Sequence, residues 1–390
     1  MKRICFLVDS IFTIGGVQRV TAVIAEALSK EYDVTIVTFD KHNLQDLKLY
    51  QLGDYAITFQ FISYPTITEN KRRFCKAYSY LYRRFLPKCK LTSDVYARSS
   101  FPEERRNELI RVLTEKRYDT VIAVHSFLAI RLATIRHKLG GCKTIAWIHN
   151  SFDALLREGS PYLGPELKYH YGRQLQKLDA VVTLYQQDAG MYQKAFGFTP
   201  YFIYNPLTLK PGEHSTGQNK EFLAVGRFSP MHKGFDLLIQ AFDLFSKKDG
   251  EWHLSIVGDG PEKEKLQQMI SERDLKERIT IHPFTNEIQK YYSAASIYVL
   301  SSRWEGMPLV LVEAMSHGLP IVTSNLPTCK EVLGDFGMYF KNGDIEELAL
   351  RLEEATHIDW QKKSKEALEI AKKFDVGPIA EQWKRLIESA

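Results

Sequence analysis

The 390-residue chain is short of several things, and each shortage removes a class of function. Its five cysteines (Cys5, Cys75, Cys89, Cys142, Cys329) contain no C-x-x-C pair and are odd in number. Neither a zinc cluster nor a disulfide framework is indicated, and a reducing cytoplasm fits. No apolar run approaches the ~18 residues that cross a bilayer; Thr120–Ala129, among the strongest, is broken by His125 and Ser126. The opening Met1–Asp9 looks like a leader only as far as Asp9, with no small-residue cleavage site after it, and reads as a first buried strand. A net charge of +5 makes no general case for a polyanionic partner. No D-x-D occurs, so no metal-bridging carboxylate pair is encoded. G-x-G-x-x-G is also missing after the first strand, which sets aside a nicotinamide dehydrogenase.

What is present is the composition of a globular enzyme, 44% hydrophobic and 12% aromatic, at a length that favours two domains. Each half reads as strand, glycine-containing turn, helix. In the first, Ile4–Asp9 is followed by Gly15-Gly16 and a helical pattern over Val17–Leu28, with further strands at 34–37, 59–62, 120–124, 144–148 and 180–184. A polar stretch from Lys210 to Lys220 separates this from a restart at Phe222–Gly226. Strands at 254–258, 279–282, 297–301 and 320–323 then alternate with helices, as in a doubly wound α/β sheet.

Two stretches carry the chemistry. In Ser301-Ser302-Arg303-Trp304-Glu305-Gly306-Met307-Pro308, Glu305 sits on a strand-to-helix loop, and Glu313 lies about a turn and a half into the helix that follows. Gly306 allows close backbone approach, Pro308 suits a first helical position, and the helix-start amides of Met307 to Leu309 suit an anion. In Gly226-Arg227-Phe228-Ser229-Pro230-Met231-His232-Lys233-Gly234, Arg227 and Lys233 could converge on a diphosphate and neutralise it without a metal; two solvated loop cations are the plain alternative. His149, at a strand end in Trp147-Ile148-His149-Asn150, reads equally as a functional or a core histidine, and His125 is the weaker candidate of the same kind.

These motifs, with Gly15-Gly16-Val17-Gln18-Arg19-Val20, Val257-Gly258-Asp259-Gly260-Pro261 and Gly318-Leu319-Pro320-Ile321-Val322, taken in this order, resemble the retaining glycosyltransferases of family 4, especially members building bacterial surface polysaccharides and lipid-linked oligosaccharides. The resemblance spans nearly the whole chain. It implies a GT-B fold, α/β with two Rossmann-like doubly wound domains facing across a cleft: an acceptor-binding domain over 1–204, joined by a terminal helix over 375–390, and a nucleotide-sugar-binding domain over 205–374. It implies transfer, with retention and without metal or other cofactor, of a hexose or N-acetylhexosamine from a nucleoside diphosphate, UDP foremost, to a glycan or lipid-linked acceptor. By the same resemblance Arg227 and Lys233 hold the donor diphosphate, with Gly15, Gly16, Gly306, Met307, Pro308 and Leu309 also donor-binding. Glu305 meets donor sugar hydroxyls, Glu313 the ribose, Pro283, Phe284 and Thr285 the base, and His149 stands near the donor sugar and acceptor. Gln18 replaces the family's usual Glu, and residues 326–331 depart from the commoner small-residue version. A UDP-sugar 2-epimerase-like enzyme and a non-catalytic nucleotide-sugar-binding protein remain the alternatives.

Residues 70–100 hold nine Lys/Arg and one acid, Asp94, so this stretch is +8 and the remainder −3. Phe74, Tyr78, Leu81 and Phe85 fall on one helical stripe, and Arg72, Arg73, Lys76, Arg83 and Arg84 on the other side. That layout suits a helix lying on the anionic inner face of a plasma membrane, where a lipid-linked acceptor is found; the alternative is a stripe packed on the first domain with solvated charges. Interleaved Arg and Tyr without a recognised module do not make a nucleic-acid site.

Overall fold

The central strands of this chain do not alternate buried and exposed residues, because both sheet faces are covered. Ile4, Cys5, Phe6 and Leu7 of the first strand are all fully buried. The computed structural model describes residues 1–209 and 212–389; Lys210 and Pro211, which open the expected polar connection, lie outside them. The chain divides into two compact units, Met1–Pro206 with Val376–Ala390, and Leu207–Asp375.

The first unit is built on seven parallel strands: β1 (Arg3–Val8), β2 (Asp33–Thr38), β3 (Ile57–Phe61), β4 (Thr120–Val124), β5 (Lys143–Trp147), β6 (Ala180–Thr183) and β7 (Tyr201–Phe202), in the order β3-β2-β1-β4-β5-β6-β7. The register runs Ile4 against Val34 on one side and against Thr120 on the other. The C-terminal helix Val376–Glu388 belongs to this unit. Trp383 meets Trp147 edge-on with ring centres 4.8 Å apart, and Lys143 Nζ donates to the Leu386 carbonyl at 2.6 Å.

The second unit repeats the plan with β8 (Glu221–Val225), β9 (His253–Val257), β10 (Ile279–His282), β11 (Ile297–Leu300), β12 (Ile321–Ser324) and β13 (Met338–Phe340), in the order β10-β9-β8-β11-β12-β13. Phe222, Phe242, Phe245 and Trp252 cluster beneath it, each large side chain contributing about 1.5–3 kcal/mol on burial. Both orders reverse direction once, between β1 and β4 and between β8 and β11. Loops leaving the carboxyl ends of those four strands therefore flank a switch point, where open α/β sheets bind ligands. The edge strands β7 and β13, two and three residues long, are too short to carry a readable pattern.

The basic segment departs from expectation. It forms two helices, Glu69–Arg84 and Lys90–Ser100, and the inward face of the first is Cys75, Tyr78 and Tyr82. Tyr82 is fully buried, and Tyr78 donates to the Thr92 carbonyl at 3.0 Å. Phe74 (65% exposed), Leu81 and Phe85 (69% exposed) instead face outward. Of the expected apolar stripe only Tyr78 packs inward, beside Tyr82, and the rest of the stripe is left exposed. Arg72 and Arg73 pair with Glu69, and Arg83 with Glu166. Lys76 and Arg84 have no ion pair among the described residues. No helix among the described residues is long and apolar enough to cross a membrane.

Candidate functional site

In the second unit the loops after β8 and β11 are stitched together. Ser301 Oγ donates to the Lys233 carbonyl at 2.9 Å, and the Arg303 amide to the His232 carbonyl at 2.9 Å. The Arg303 guanidinium forms two parallel bonds to Asp236, at 2.9 and 2.7 Å, and a third to the Met231 carbonyl at 3.1 Å. Burial works against ionisation of Asp236, but the hydrogen bonds and charge of Arg303 prevail and hold its carboxyl below the ordinary value. Gly234, at φ +63°, fits here because any Cβ would collide with the Ser301 carbonyl. Met231 takes a left-handed conformation (φ +60°) beside it, a strained choice for a side-chain-bearing residue that its contact with Arg303 helps to hold.

This stitching brings Lys233 and Glu305 into a pair, Nζ to Oε1 2.7 Å, both nearly buried. Ser302 Oγ donates to the same carboxylate oxygen, and His232 stands 3.9 Å from the other. The His232 ring lies flat on Trp304, centres 5.0 Å apart; burial lowers its pKa and Glu305 works against that. Lys233 is therefore directed to Glu305. Arg227 is exposed, with no ion pair among the described residues. The stem of Lys233 lies over Gly226, where a Cβ would stand 3.1 Å from it.

Glu313 is buried in the helix Leu309–Ser316 and accepts the Tyr292 hydroxyl at 3.0 Å; Tyr292 in turn stacks on His317. Pro308 precedes this helix rather than occupying its first position. With φ −77° and ψ 84° it closes a tight turn in which the Leu309 amide donates to the Met307 carbonyl at 2.9 Å, and the Leu311 amide pairs with Pro308. The expected anion-facing amide of Leu309 is thus already used. Gly306 lies between Glu305 and this turn, with Met307 and Pro308 buried. Pro283 and Phe284 are exposed beyond β10, and Thr285 Oγ1 accepts the Glu287 amide at 3.0 Å.

In the first unit Gly15 caps the helix Gly16–Ser29, and its amide donates to Tyr50 Oη at 2.8 Å, while Tyr50 donates to the Thr13 carbonyl at 3.0 Å. The Gly15 amide, expected to face an anion, is thus bonded to a tyrosine 35 residues on. His149 is buried beyond β5, with neither ring nitrogen hydrogen-bonded. Burial, with His125 adding to it, drives its pKa well below the usual value, so it is neutral at pH 7. A satisfied core histidine would have a partner, and this one does not. His125 touches it, ring centres 5.4 Å apart, and has φ +79° with ψ 151°, a region almost confined to glycine. Sequence spacing also passed over Ser302, and over Arg303, Asp236, Tyr292 and Tyr50, whose partners are distant in the chain.

Comparison with known proteins bears on this geometry. Residues 14–210 match the model for Glycosyltransferase Family 4, and residues 208–374 the model for glycosyl transferases group 1. An uncharacterized glycosyltransferase of Haemophilus influenzae is 28% identical, the match covering 99% of this chain and all of that one. The amylovoran biosynthesis glycosyltransferase AmsD of Erwinia amylovora is 25% identical over 86% of this chain and 85% of its own. Among solved structures, a variant of TarM from S. aureus in complex with fondaparinux, alpha-GlcNAc-glycerol and UDP superposes with a TM-score of 0.75 at 16% identity, both chains fully covered. HepE of Anabaena, in complex with UDP and glucose, gives 0.73 at 18%, again over all of both chains. At such identities these structures speak for the fold, which is GT-B as the motifs imply.

Proposed function

The chain belongs to glycosyltransferase family 4, and from that premise we propose that it transfers a hexose or N-acetylhexosamine from a UDP-linked donor to a glycan or lipid-linked acceptor in bacterial surface polysaccharide synthesis. The observation that carries this reading is the buried Lys233–Glu305 pair at the β8/β11 switch point, with Arg227 exposed on the same loop. Lys233 and Arg227 would stabilise the diphosphate as the bond from the anomeric carbon to its oxygen breaks, so that two cations replace a metal. Glu305, fixed by Lys233 and Ser302, would accept hydrogen bonds from sugar hydroxyls, and Glu313 from the ribose. Attack by the acceptor hydroxyl on the face that the leaving group vacates would retain configuration. His149, neutral and unpartnered, suits hydrogen bonding to an uncharged hydroxyl. Amylovoran synthesis is named for AmsD, and UDP is bound by TarM and HepE, which supports the donor and the pathway class proposed here. Incubation with a panel of UDP-, GDP- and ADP-sugars, with and without chelator, tests it. Nucleotide release from a UDP-sugar, unaffected by chelator, is expected; no release from any donor would sink the reading.

A second reading concerns location at the inner face of the plasma membrane. Phe74, Leu81 and Phe85 are exposed, and so are Lys76 and Arg84 of the same segment, which offers both apolar insertion and anionic attraction. Sedimentation with anionic vesicles but not neutral ones is expected. Equal recovery in both supernatants would exclude it.

A further inference from the structure

A separate group of cations lies at the carboxyl edge of the first sheet. Arg131 projects from the helix Ser126–Ile135, which follows β4. Its guanidinium carbon stands 3.7 Å from the centre of the Phe127 ring, 5.2 Å from that of Tyr64, 5.3 Å from that of Phe101 and 6.0 Å from that of Phe39. Arg105, in the first turn of the helix Glu103–Glu115, lies 5.7 Å from the same Tyr64 ring, and its Nε is buried without a partner. Neither arginine has a carboxylate within ion-pair distance among the described residues. Asp9 is the acid whose field reaches Arg131, and burial together with the like charge of Arg105 makes Arg131 hold its proton less firmly than usual.

Ring faces compensate part of the cost of drawing a guanidinium out of water, but beyond the Tyr64 hydroxyl they offer its N–H fork no acceptor. Two neighbouring arginines with no acid to balance them form an arrangement that a planar or tetrahedral oxyanion completes, through bidentate, charge-assisted bonds. Position adds a second argument. Phe39 follows β2, Tyr64 follows β3, and Phe127 with Arg131 follows β4, so the group is assembled from the ligand-binding edge of the sheet, on the helix that the strained His125 opens.

We propose that Arg131 and Arg105, held by Tyr64 and Phe127, bind a phosphate or pyrophosphate group of the acceptor, so that the acceptor is a phosphorylated molecule rather than a neutral glycan. This rests on the glycosyltransferase reading above and deepens it. The phosphoryl group could belong to a polyol phosphate or to an isoprenyl pyrophosphate; the chemistry recognised is the same.

The test is calorimetric titration of inorganic pyrophosphate into the full chain already saturated with UDP, which fills the donor site. One further anion per chain is expected, weakened on the order of tenfold or more by Arg131→Gln and by Arg105→Gln, with UDP affinity unchanged. Arg131→Lys, which keeps the charge and loses the fork, is expected to fall between, and thermal midpoints show that each variant is folded. No binding to the UDP-saturated protein, or binding indifferent to both Gln variants, overturns the proposal. If UDP itself does not bind, it is the donor reading that fails, and the same titration of the free chain still decides the anion site. Displacement of pyrophosphate by oligo(glycerol phosphate) identifies a polyol phosphate acceptor, and displacement by a short-chain isoprenyl pyrophosphate a lipid-linked one. Displacement by neither overturns the acceptor assignment.

Discussion

Lys233 and Glu305, 72 residues apart in sequence, form an ion pair of 2.7 Å in which the lysine side chain is 14% exposed and the glutamate 7%. The pair has two consequences. Each residue positions the other before any ligand arrives, and neither can be removed alone without leaving a charge in a nearly dry site.

Lys233→Ala and Glu305→Ala are each expected to abolish most turnover and to destabilise the second unit by about 3–5 kcal/mol, because the surviving charge is buried and unpaired. Lys233→Met with Glu305→Gln, which removes both charges, should recover much of that stability and none of the activity. Urea unfolding beside a donor-hydrolysis assay separates the two effects. Full activity in either single variant would contradict the site.

Gly234→Ala should be far more damaging than an ordinary loop substitution. The backbone there is left-handed and the new methyl group would meet the Ser301 carbonyl, so the two loops must part. A loss of more than about 2 kcal/mol and a UDP affinity lowered at least tenfold are expected. Unchanged UDP affinity by calorimetry would show that the loops are not held as described.

Acid should weaken the first unit through buried histidines. His149 titrates well below the ordinary value because of burial, and His170, whose Nδ1 meets Ser93 Oγ at 2.9 Å, is brought down by burial to about 4. Below pH ~6.5 the unfolded chain binds protons that the folded chain refuses, so stability falls from about pH 6.5 toward 4, by up to ~1.4 kcal/mol per pH unit for each histidine, and is flat in this respect above 6.5. His170→Gln and His149→Gln should each flatten that slope by one proton. An unaltered pH dependence of the thermal midpoint in both variants would refute the assignment.

How far the chain could be read in advance depended on range. Glu305 and Glu313 were legible as members of one strand–turn–helix because eight residues fix their relation within a single element. Strands such as 120–124 and 297–300 were legible because burial on both faces leaves a nearly unbroken apolar run. The inward face of the helix Glu69–Arg84 was not: Phe74, Tyr78, Leu81 and Phe85 have the periodicity of a packed stripe, yet of these only Tyr78 packs, with Tyr82. Pro308 was misplaced by one position for a similar reason, since a proline suits both a helix start and the turn before it.

The sequence by itself determined the doubly wound class, the restart near residue 222 and the loops that bear charge, because these follow from periodicity and turn chemistry acting over a few residues. Tertiary structure alone decided that Lys233 faces Glu305, that Arg303 clamps Asp236, that Tyr50 occupies the Gly15 amide, and that four rings enclose Arg131. Those relations depend on which strands become neighbours. Strand order is set by the burial of whole faces, which no local pattern records.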